Sequence, residues 1–496
     1  MRIAETQFFL DRDGSTGLQA QLKEKIAAAI LARRFRPGQK LPSSRRLADH
    51  LGIARITVSL VYQDLVADGY LESAARSGFF VAPDAPRLMD PVGQGPVEGA
   101  SDIGWDRWIG HRYGQIRALE KPLDWRAYPF PFVYGQIDDT LFPHDDWRDC
   151  ARRALGKRDF SQVSGDFWHA DDPQLIDHIL SHSLPGRGVT AHADEVLVTL
   201  GAQNALWLII RLLSDTRPGM RVAIEEPGYS YLREALDISG CQILPVPVDA
   251  QGLPPDTLPE DIDLVCVTPS HQAPTSVTLP TERRARLLEL AEERDFLILE
   301  DDYDFELSFL RPAHPALKAN DIAGRVIHVG SFSKALFPGL RLGYISAPAR
   351  FIEEARGLRA LMIRHPPGTT QRTTAHFLAL GHYNAHVRRL RSAFKERRDL
   401  MARALDRAGL DVAGVSDVGG ASFWIRGPDG LNAHLLAQEL RQDGVLIEPG
   451  EAFYADPSPP TEFFRMAYSS IAASKIPEGV ARVAARIQAL NGVNGQ

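Results

Sequence analysis

Residues 326–344 read VIHVGSFSKALFPGLRLGY: a short apolar run, a loop carrying two serines and a lysine, then an arginine before a closing glycine and tyrosine. The β-branched run predicts a buried strand, and the loop after it collects groups suited to an aldehyde cofactor that bears a phosphate. Lys334 offers an amine for a Schiff base, a reaction that needs a positioned amine of lowered pKa. Ser331, Ser333 and Arg341 offer hydroxyl and guanidinium donors to a phosphate. The chain has nine lysines against 47 arginines, so a lysine set among small and apolar residues points to amine chemistry. Taken alone, the same residue also reads as a surface lysine in a loop.

Working upstream, FLILEDDYDFE (296–306) places Asp301 directly after another apolar run, with Tyr303 two residues on. A pyridinium nitrogen needs a carboxylate partner to stay protonated, which Asp301 can supply, and Tyr303 can donate to a cofactor phenolate. A metal reading of Glu300, Asp301, Asp302 and Asp304 is the competing one, against which stand the absence of a neighbouring histidine and a spacing that fits no calcium loop. TLGAQNAL (199–206) puts Gly201, Ala202 and Gln203 where a helix begins, a natural phosphate cradle. Glu226-Pro227-Gly228-Tyr229 closes a further strand with an aromatic able to stack on a ring.

From about residue 129 onward, apolar runs (EVLVTL, RVAIEE, LVCVTP, FLILEDD, VIHVGSFS) alternate with helical stretches. That alternation predicts a mostly parallel sheet with helices on both faces. The candidate residues all fall at C-terminal strand ends, where open α/β sheets bind ligands. A long helical stretch (about 348–408) then leads to a second α+β region ending near Gln488.

The first 82 residues are different. Leu18, Leu22, Ile26 and Ile30 recur every four residues, giving one apolar helical face. Ser43 and Ser44 offer an N-cap to RRLADHLG, and a third helix, ARITVSLVYQDLVADGY, buries Val58, Val61 and Leu65 and stops at Gly69. YLES and GFFV follow as a hairpin around 75–78. A short helix, a glycine-containing turn and a longer helix form a helix-turn-helix, whose second helix enters the major groove. Arg55 and Thr57, at its start, are placed for base edges. Ser43, Ser44, Arg45 and Arg46, at the preceding helix start, are placed for phosphates. The bland alternative makes Arg45, Arg46 and Arg55 solvated surface charges. Net charge is −7, yet residues 1–82 hold 12 Lys/Arg against 8 Asp/Glu, a basic head on an acidic body.

With 496 residues, 44% hydrophobic and 24% charged, the chain should form two or three globular domains. We expect a helix-turn-helix domain over 1–82, a Pro/Gly-rich linker over 83–128 and a cofactor domain over 129–496. Part of 105–128, with Trp105, Trp108 and Trp125, is expected to dock as a helix. The scattered Cys150, Cys241 and Cys266 suggest neither disulfides nor a metal site and fit a reducing cytoplasm. No signal segment and no bilayer-spanning run is visible, so a soluble cytoplasmic protein without membrane partners is expected.

Two resemblances sharpen these readings. Residues 18–81 closely resemble the DNA-binding domain of the GntR family, with its basic-Pro-Gly run, L-P-S-x-R-x-L-A and G-x-F-V wing. The resemblance implies that Ser43, Ser44, Arg45, Arg55 and Thr57 contact double-stranded DNA and that Gly78 lies in the wing. Ala54 stands where serine is frequent and Ile56 where a polar residue is frequent, which leaves the operator sequence open. T-x-G-x-Q-x-A-L, E-x-P-G-Y, V-T-P-S-H-Q-x-P-T, E-D-D-Y-D and G-S-F-S-K-x-L-x-P-G-L-R-L-G-Y then occur in order. They resemble fold-type I aminotransferases, specifically the domain fused to GntR heads in the MocR/GabR subfamily, across about 130–480.

That resemblance implies pyridoxal 5′-phosphate as cofactor, Lys334 as its internal-aldimine lysine, Asp301 at the pyridine nitrogen, Tyr303 near the ring hydroxyl and Tyr229 stacked on the ring. Gly201, Ala202, Gln203, Ser331, Ser333 and Arg341 would surround the phosphate, with His271 and Gln272 lining the same pocket. Arg465, in FFRMAYSS, matches the arginine that clamps a ligand carboxylate; by itself it also reads as a strand-surface arginine. Ser276 replaces a usual glycine, and FWHADDPQL (167–175) departs from the family's tyrosine-containing stretch at Trp168, which puts ligand shape and catalytic competence in question.

The fold expected is therefore multidomain: an N-terminal winged helix-turn-helix plus an α/β, fold-type I, PLP-dependent aminotransferase-like domain. Three functions follow. The first is a regulator in which an amino compound displaces Lys334, forms an external aldimine and shifts the DNA-bound state. The second is a working aminotransferase with an incidental head. The third is a regulator whose body has lost the cofactor. The complete cofactor set weighs against the third and the intact head against the second, though residual transamination is compatible with the retained Lys334 and Asp301. The resemblance further implies a head-to-tail homodimer. Arg465 points to an anionic amino compound: an amino acid, a taurine-like sulfonate or an osmolyte derivative.

Overall fold

A computed structural model describes residues 2–12, 16–75, 77–86, 104–110, 112–115, 119 and 121–494. The chain divides into two compact units, Met1–Gly110 and His111–Gln496. The linker expected over 83–128 lies partly, at 87–103, outside the described residues.

In the first unit, three helices pack around one core: α1 (Leu18–Leu31), α2 (Ser44–Leu51) and α3 (Arg55–Ala67). The four-residue spacing does what it predicts: Leu22, Ile26 and Ile30 of α1 meet Leu47 of α2 and Val58, Val61 and Leu65 of α3, all at most 3% exposed. Ser43 caps α2 by accepting the N–H of Arg46 (3.3 Å), and Gly52 ends it in the left-handed region that glycine adopts without a Cβ penalty. Strands β1 (Leu71–Ala74) and β2 (Gly78–Val81) form the antiparallel hairpin, in the register Leu71↔Val81. Tyr62 anchors the turn before α2 by donating to the carbonyl of Pro42 (2.9 Å).

The second unit opens with β3 (Phe130–Pro131) and carries a seven-stranded sheet: β4 (Val196–Thr199), β5 (Arg221–Glu226), β6 (Gln242–Pro247), β7 (Leu264–Val267), β8 (Leu297–Asp302), β9 (Val326–Ser331) and β10 (Gly343–Ser346). Their order is β4-β10-β9-β8-β7-β5-β6. Six strands run parallel; β10 is antiparallel to both its neighbours, β4 and β9. The sheet is thus mostly parallel, as expected, and mixed only through β10. The connection from β9 to β10 is a loop rather than a crossover helix, and only an antiparallel partner can follow so directly. Glycine is required where β9 meets β10: a Cβ on Gly330 would lie 2.2 Å from the Tyr344 ring.

Strands β4, β5 and β7 to β9 are almost wholly buried, as helix-covered parallel strands must be. The long helical stretch resolves into Ala349–Ile363, Gly368–Ala379 and His382–Ala408. Beyond it, β11 (Asp411–Gly414), β12 (Ser422–Arg426), β13 (Val445–Leu446), β14 (Glu448–Pro449) and β15 (Phe463–Ala467) build a small layer closed by the helix Ile476–Asn494. Four of these strands form one sheet in the order β11-β12-β15-β14, and β13 pairs in parallel with β3. Among the described residues of 105–128 the expected helix does not form. The described residues there make only single 3₁₀ turns at Trp105–Arg107, Arg112–Gln115 and Trp125–Ala127, and it is Trp125 that docks, beside Val133 and Leu446.

Candidate cofactor pocket and nucleic-acid interface

Because the parallel strands point their C-terminal ends the same way, the loops that leave β4, β5, β7, β8 and β9 converge on one cavity of about 260 Å³. Gly201 starts the helix Gly201–Thr216 with φ +77°, and a Cβ there would come within 3.5 Å of the Arg341 guanidinium. This helix start, Ser331, Ser333 and Arg341 together make a cradle for an anion. The Ser333 hydroxyl is buried and has no hydrogen-bond partner. Tyr229 donates to Gln203 (2.9 Å) from the opposite wall.

Strand alternation sorts the acidic run that the sequence left ambiguous. Asp301 faces the cavity, and its buried Oδ1 lacks a partner. Glu300 and Asp302 point the other way. Glu300 accepts the N–H of Leu317 (2.6 Å) and pairs with His328 (2.9 Å), while Asp302 holds Arg187 (2.6 Å) and Ser270 (2.5 Å). Asp304 accepts from Tyr134 (2.7 Å) and contacts His271 (2.8 Å). Each acid therefore has its own neighbours, and among the described residues no cluster of metal-ligating side chains occurs.

Burial pushes the Asp301 carboxyl up to about 8, helped by Asp302 and Asp304. Burial brings Lys334 down to about 8 against the pull of Asp304. Lys334 is therefore easier to deprotonate than an ordinary lysine, and the neutral amine is its nucleophilic form, while Asp301 without a cationic partner holds its proton through neutral pH. An unpartnered buried carboxyl, an unpartnered buried hydroxyl and a glycine-lined cradle beside a depressed lysine fit pyridoxal 5′-phosphate: pyridine nitrogen at Asp301, phosphate at the cradle, aldehyde toward Lys334.

Of the residues expected here, Gly201, His271 and Gln272 are not on the cavity wall; the first acts through the backbone turn. His271 and Gln272 are corrections. Gln272 is turned away, donating to the carbonyls of Pro227 (2.8 Å) and Ala273 (2.9 Å) and accepting from Thr275 (2.7 Å). His271 is buried behind the wall against Asp304, and its carbonyl accepts the Tyr303 hydroxyl (2.9 Å). Both side chains hold the floor rather than line it.

Arg465 does reach the cavity, but already engaged. Its Nε donates to Glu448 (2.8 Å), and its guanidinium lies 4.2 Å from the centroid of the Tyr134 ring. Lys334 Nζ lies over the same ring at 4.6 Å. Tyr134, Gly135 and Glu448 were not foreseen. A Cβ on Gly135 would come within 2.7 Å of Lys334 Nζ, yet a Tyr-Gly pair in an apolar stretch carries no periodic signal. Ser276, where glycine was expected, adopts φ +62° and is buried against Ser422 (3.1 Å), so the left-handed position persists without glycine. Trp168 is 42% exposed and off the cavity wall.

In the first unit, Arg45, Arg55 and Ile56 are exposed at the starts of α2 and α3, and Thr57 is half-buried. Arg55 Nε donates to Ser44 (3.4 Å). Ser43 caps α2 by accepting the Arg46 N–H, which leaves its own hydroxyl proton to donate, and Arg46 pairs with Glu5 (2.5 Å) while staying largely exposed. Gly78, at φ +102°, lies beside Lys40 at the hairpin.

Residues 18–81 match the model of the gntR family of bacterial regulatory proteins, and residues 168–483 match that of class I and II aminotransferases. The regulator TauR of Rhodobacter capsulatus is 49% identical over 98% of this chain and 99% of its own. The chain is a GntR-family transcriptional regulator of the MocR type. The probable rhizopine catabolism regulatory protein MocR of Rhizobium meliloti is 32% identical to this MocR-type regulator over 95% of the chain and 94% of its own. Among solved structures, the α-aminoadipate aminotransferase LysN of Thermus thermophilus, complexed with N-(5′-phosphopyridoxyl)-L-leucine, is 27% identical with a TM-score of 0.71, covering 79% of this chain and all of that one. The regulator thus joins a DNA-binding head to an aminotransferase-like body, as its two sets of motifs implied.

Proposed function

We propose that this MocR-type regulator controls transcription in response to a small amino compound carrying an anionic group, bound at its pyridoxal phosphate pocket. The observation that carries the reading is the shared aromatic wall: the Lys334 amine and the Arg465 guanidinium both lie over Tyr134, at 4.6 and 4.2 Å. An amine-reactive group and a guanidinium therefore share one aromatic ring as a wall of the same cavity, an arrangement that suits a ligand bearing both an amine and an anion. When bound, the cofactor supplies an aldehyde carbon that condenses with amines. The protein's part is to hold and orient. Asp301 would bind the ring nitrogen, Tyr229 would cover the ring, the helix start at Gly201 with Ser331, Ser333 and Arg341 would hold the phosphate, and Arg465 would orient the ligand anion. Tyr303, whose hydroxyl donates to the His271 carbonyl, would serve the ring hydroxyl.

In this reading the residues at the starts of α2 and α3 contact operator DNA: Ser44, Arg45 and the N–H groups of the helix starts on phosphates, and Arg55 and Thr57 on base edges. Ser43 assists through its hydroxyl proton, Arg46 assists if Glu5 gives way, and Gly78 shapes the wing. The regulator works as a cytoplasmic homodimer on spaced half-sites. Ligand binding transmits a signal only by favouring one arrangement of head and body over another. The test is a titration of the purified holoprotein with a panel of amines, amino acids and aminosulfonates, following the cofactor absorption with and without operator DNA. An anionic amine that changes the spectrum and whose affinity shifts when DNA is present supports the reading. A panel in which simple amines act as well as anionic ones, or in which DNA has no influence, defeats it.

A further inference from the structure

The second residue of α3 is an isoleucine that the core does not use. Ile56 is 65% exposed, and Leu60, one turn along the same face, is 40% exposed. The opposite face of the helix buries Val58, Val61, Tyr62 and Leu65. The helix therefore has a second, outward apolar stripe that starts at its N-terminus. Ala54, at the N-cap, makes no side-chain cap, the Thr57 N–H donates to its carbonyl (3.0 Å), and Arg55 is exposed next to Ile56.

In a helix-turn-helix, the N-terminal residues of the second helix meet the base edges. The edges of the major groove carry hydrogen-bonding atoms and one prominent apolar group, the thymine 5-methyl. An isoleucine there can make no base hydrogen bond, and a branched aliphatic tip complements a methyl. The surroundings favour nucleic acid over a second apolar protein surface: Arg45, Arg46 and Arg55 cluster at the same helix starts, within a head that carries 12 Lys/Arg against 8 Asp/Glu.

We propose that Ile56 reads a thymine in each half-site by packing on its 5-methyl group. The proposal rests on the DNA-binding reading of the head and adds which base chemistry one position prefers. The test uses the full-length holoprotein and duplexes it enriches from a random DNA library. Thymines in the enriched site are replaced one at a time by deoxyuridine, which pairs identically but lacks the methyl.

One thymine per half-site should weaken wild-type binding about fourfold on replacement, the value of one buried methyl group. Ile56→Ala should bind the thymine and uracil duplexes equally at that position, while Ile56→Val keeps the difference. Both variants should melt as the wild type does, because the side chain is outside the core. The proposal is overturned by an enriched site with no uracil-sensitive thymine, or by sensitivity that persists in Ile56→Ala. A protein that enriches no duplex defeats the DNA-binding reading itself, and the proposal with it.

Discussion

The carboxylate of Glu448 holds Nε of Arg465 at 2.8 Å on the wall of the cofactor cavity. Its other oxygen accepts the backbone N–H of Tyr134 (3.2 Å), so one acid ties together the Arg465 guanidinium and the residue whose ring Arg465 and Lys334 share. The two charges are 8% and 5% exposed. Removing one partner of such a pair leaves the other buried and unpaired, which costs about 3–5 kcal/mol. Arg465→Ala should destabilise the larger unit by that order in denaturant melts, and Glu448→Ala/Arg465→Ala should recover most of it. Additive losses would show that the pair is not coupled.

Two groups in the cavity make the cofactor-free protein respond to pH in opposite senses. Lys334 falls from 10.5 to about 8 on folding. Between those values the unfolded chain carries a proton that the folded chain lacks, so stability rises with pH. Asp301 rises from 3.8 to about 8. Across that window the folded chain carries the extra proton, and stability falls as pH climbs. Thermal melts of the apoprotein from pH 4 to 10 should show a decline toward pH 8, to which the buried Glu225 and Glu306, raised to about 7 and about 8, add; Asp301→Asn should lessen it, and Lys334→Met should lessen the opposing rise above pH 8.

Lys334 should also carry the cofactor covalently. The holoprotein should be yellow, lose its visible band on borohydride reduction, and then retain the cofactor through denaturation. Lys334→Ala should retain none after the same treatment. Gly135→Ala, whose new methyl would approach Lys334 Nζ to 2.7 Å, should reduce cofactor retention without touching the phosphate cradle.

On the head, the two kinds of contact separate by salt and sequence. Arg55→Ala should cost about 1–3 kcal/mol on operator DNA and much less on random DNA. Arg45→Ala should weaken both alike and reduce the salt slope by about one. Glu5→Gln frees Arg46 from its 2.5 Å ion pair and should strengthen non-specific binding at low salt. An equal loss on both DNAs for Arg55→Ala would rule out base reading there.

Much of this regulator was determined by local sequence. The four-residue spacing of Leu22, Ile26 and Ile30, and the apolar runs before Gly201, Asp301 and Ser331, follow from periodicity alone, since a helix or strand must bury one face. For the same reason the chemistry at strand ends, Lys334 and Asp301 included, was legible: it is contiguous with the runs that position it. Tertiary structure decided what depends on residues far apart in the chain. Strand alternation with its neighbours aimed Asp301 at the cavity and turned Glu300 and Asp302 away, toward His328 and Arg187. Hydrogen bonds to the Pro227 carbonyl and from the Thr275 hydroxyl engage the Gln272 side chain. Tyr134 and Glu448, 314 residues apart, met at Arg465 only because β3 and the small C-terminal sheet pack beside the ends of the large one. A sequence pattern encodes which face is buried; which distant side chains share a wall is fixed by packing.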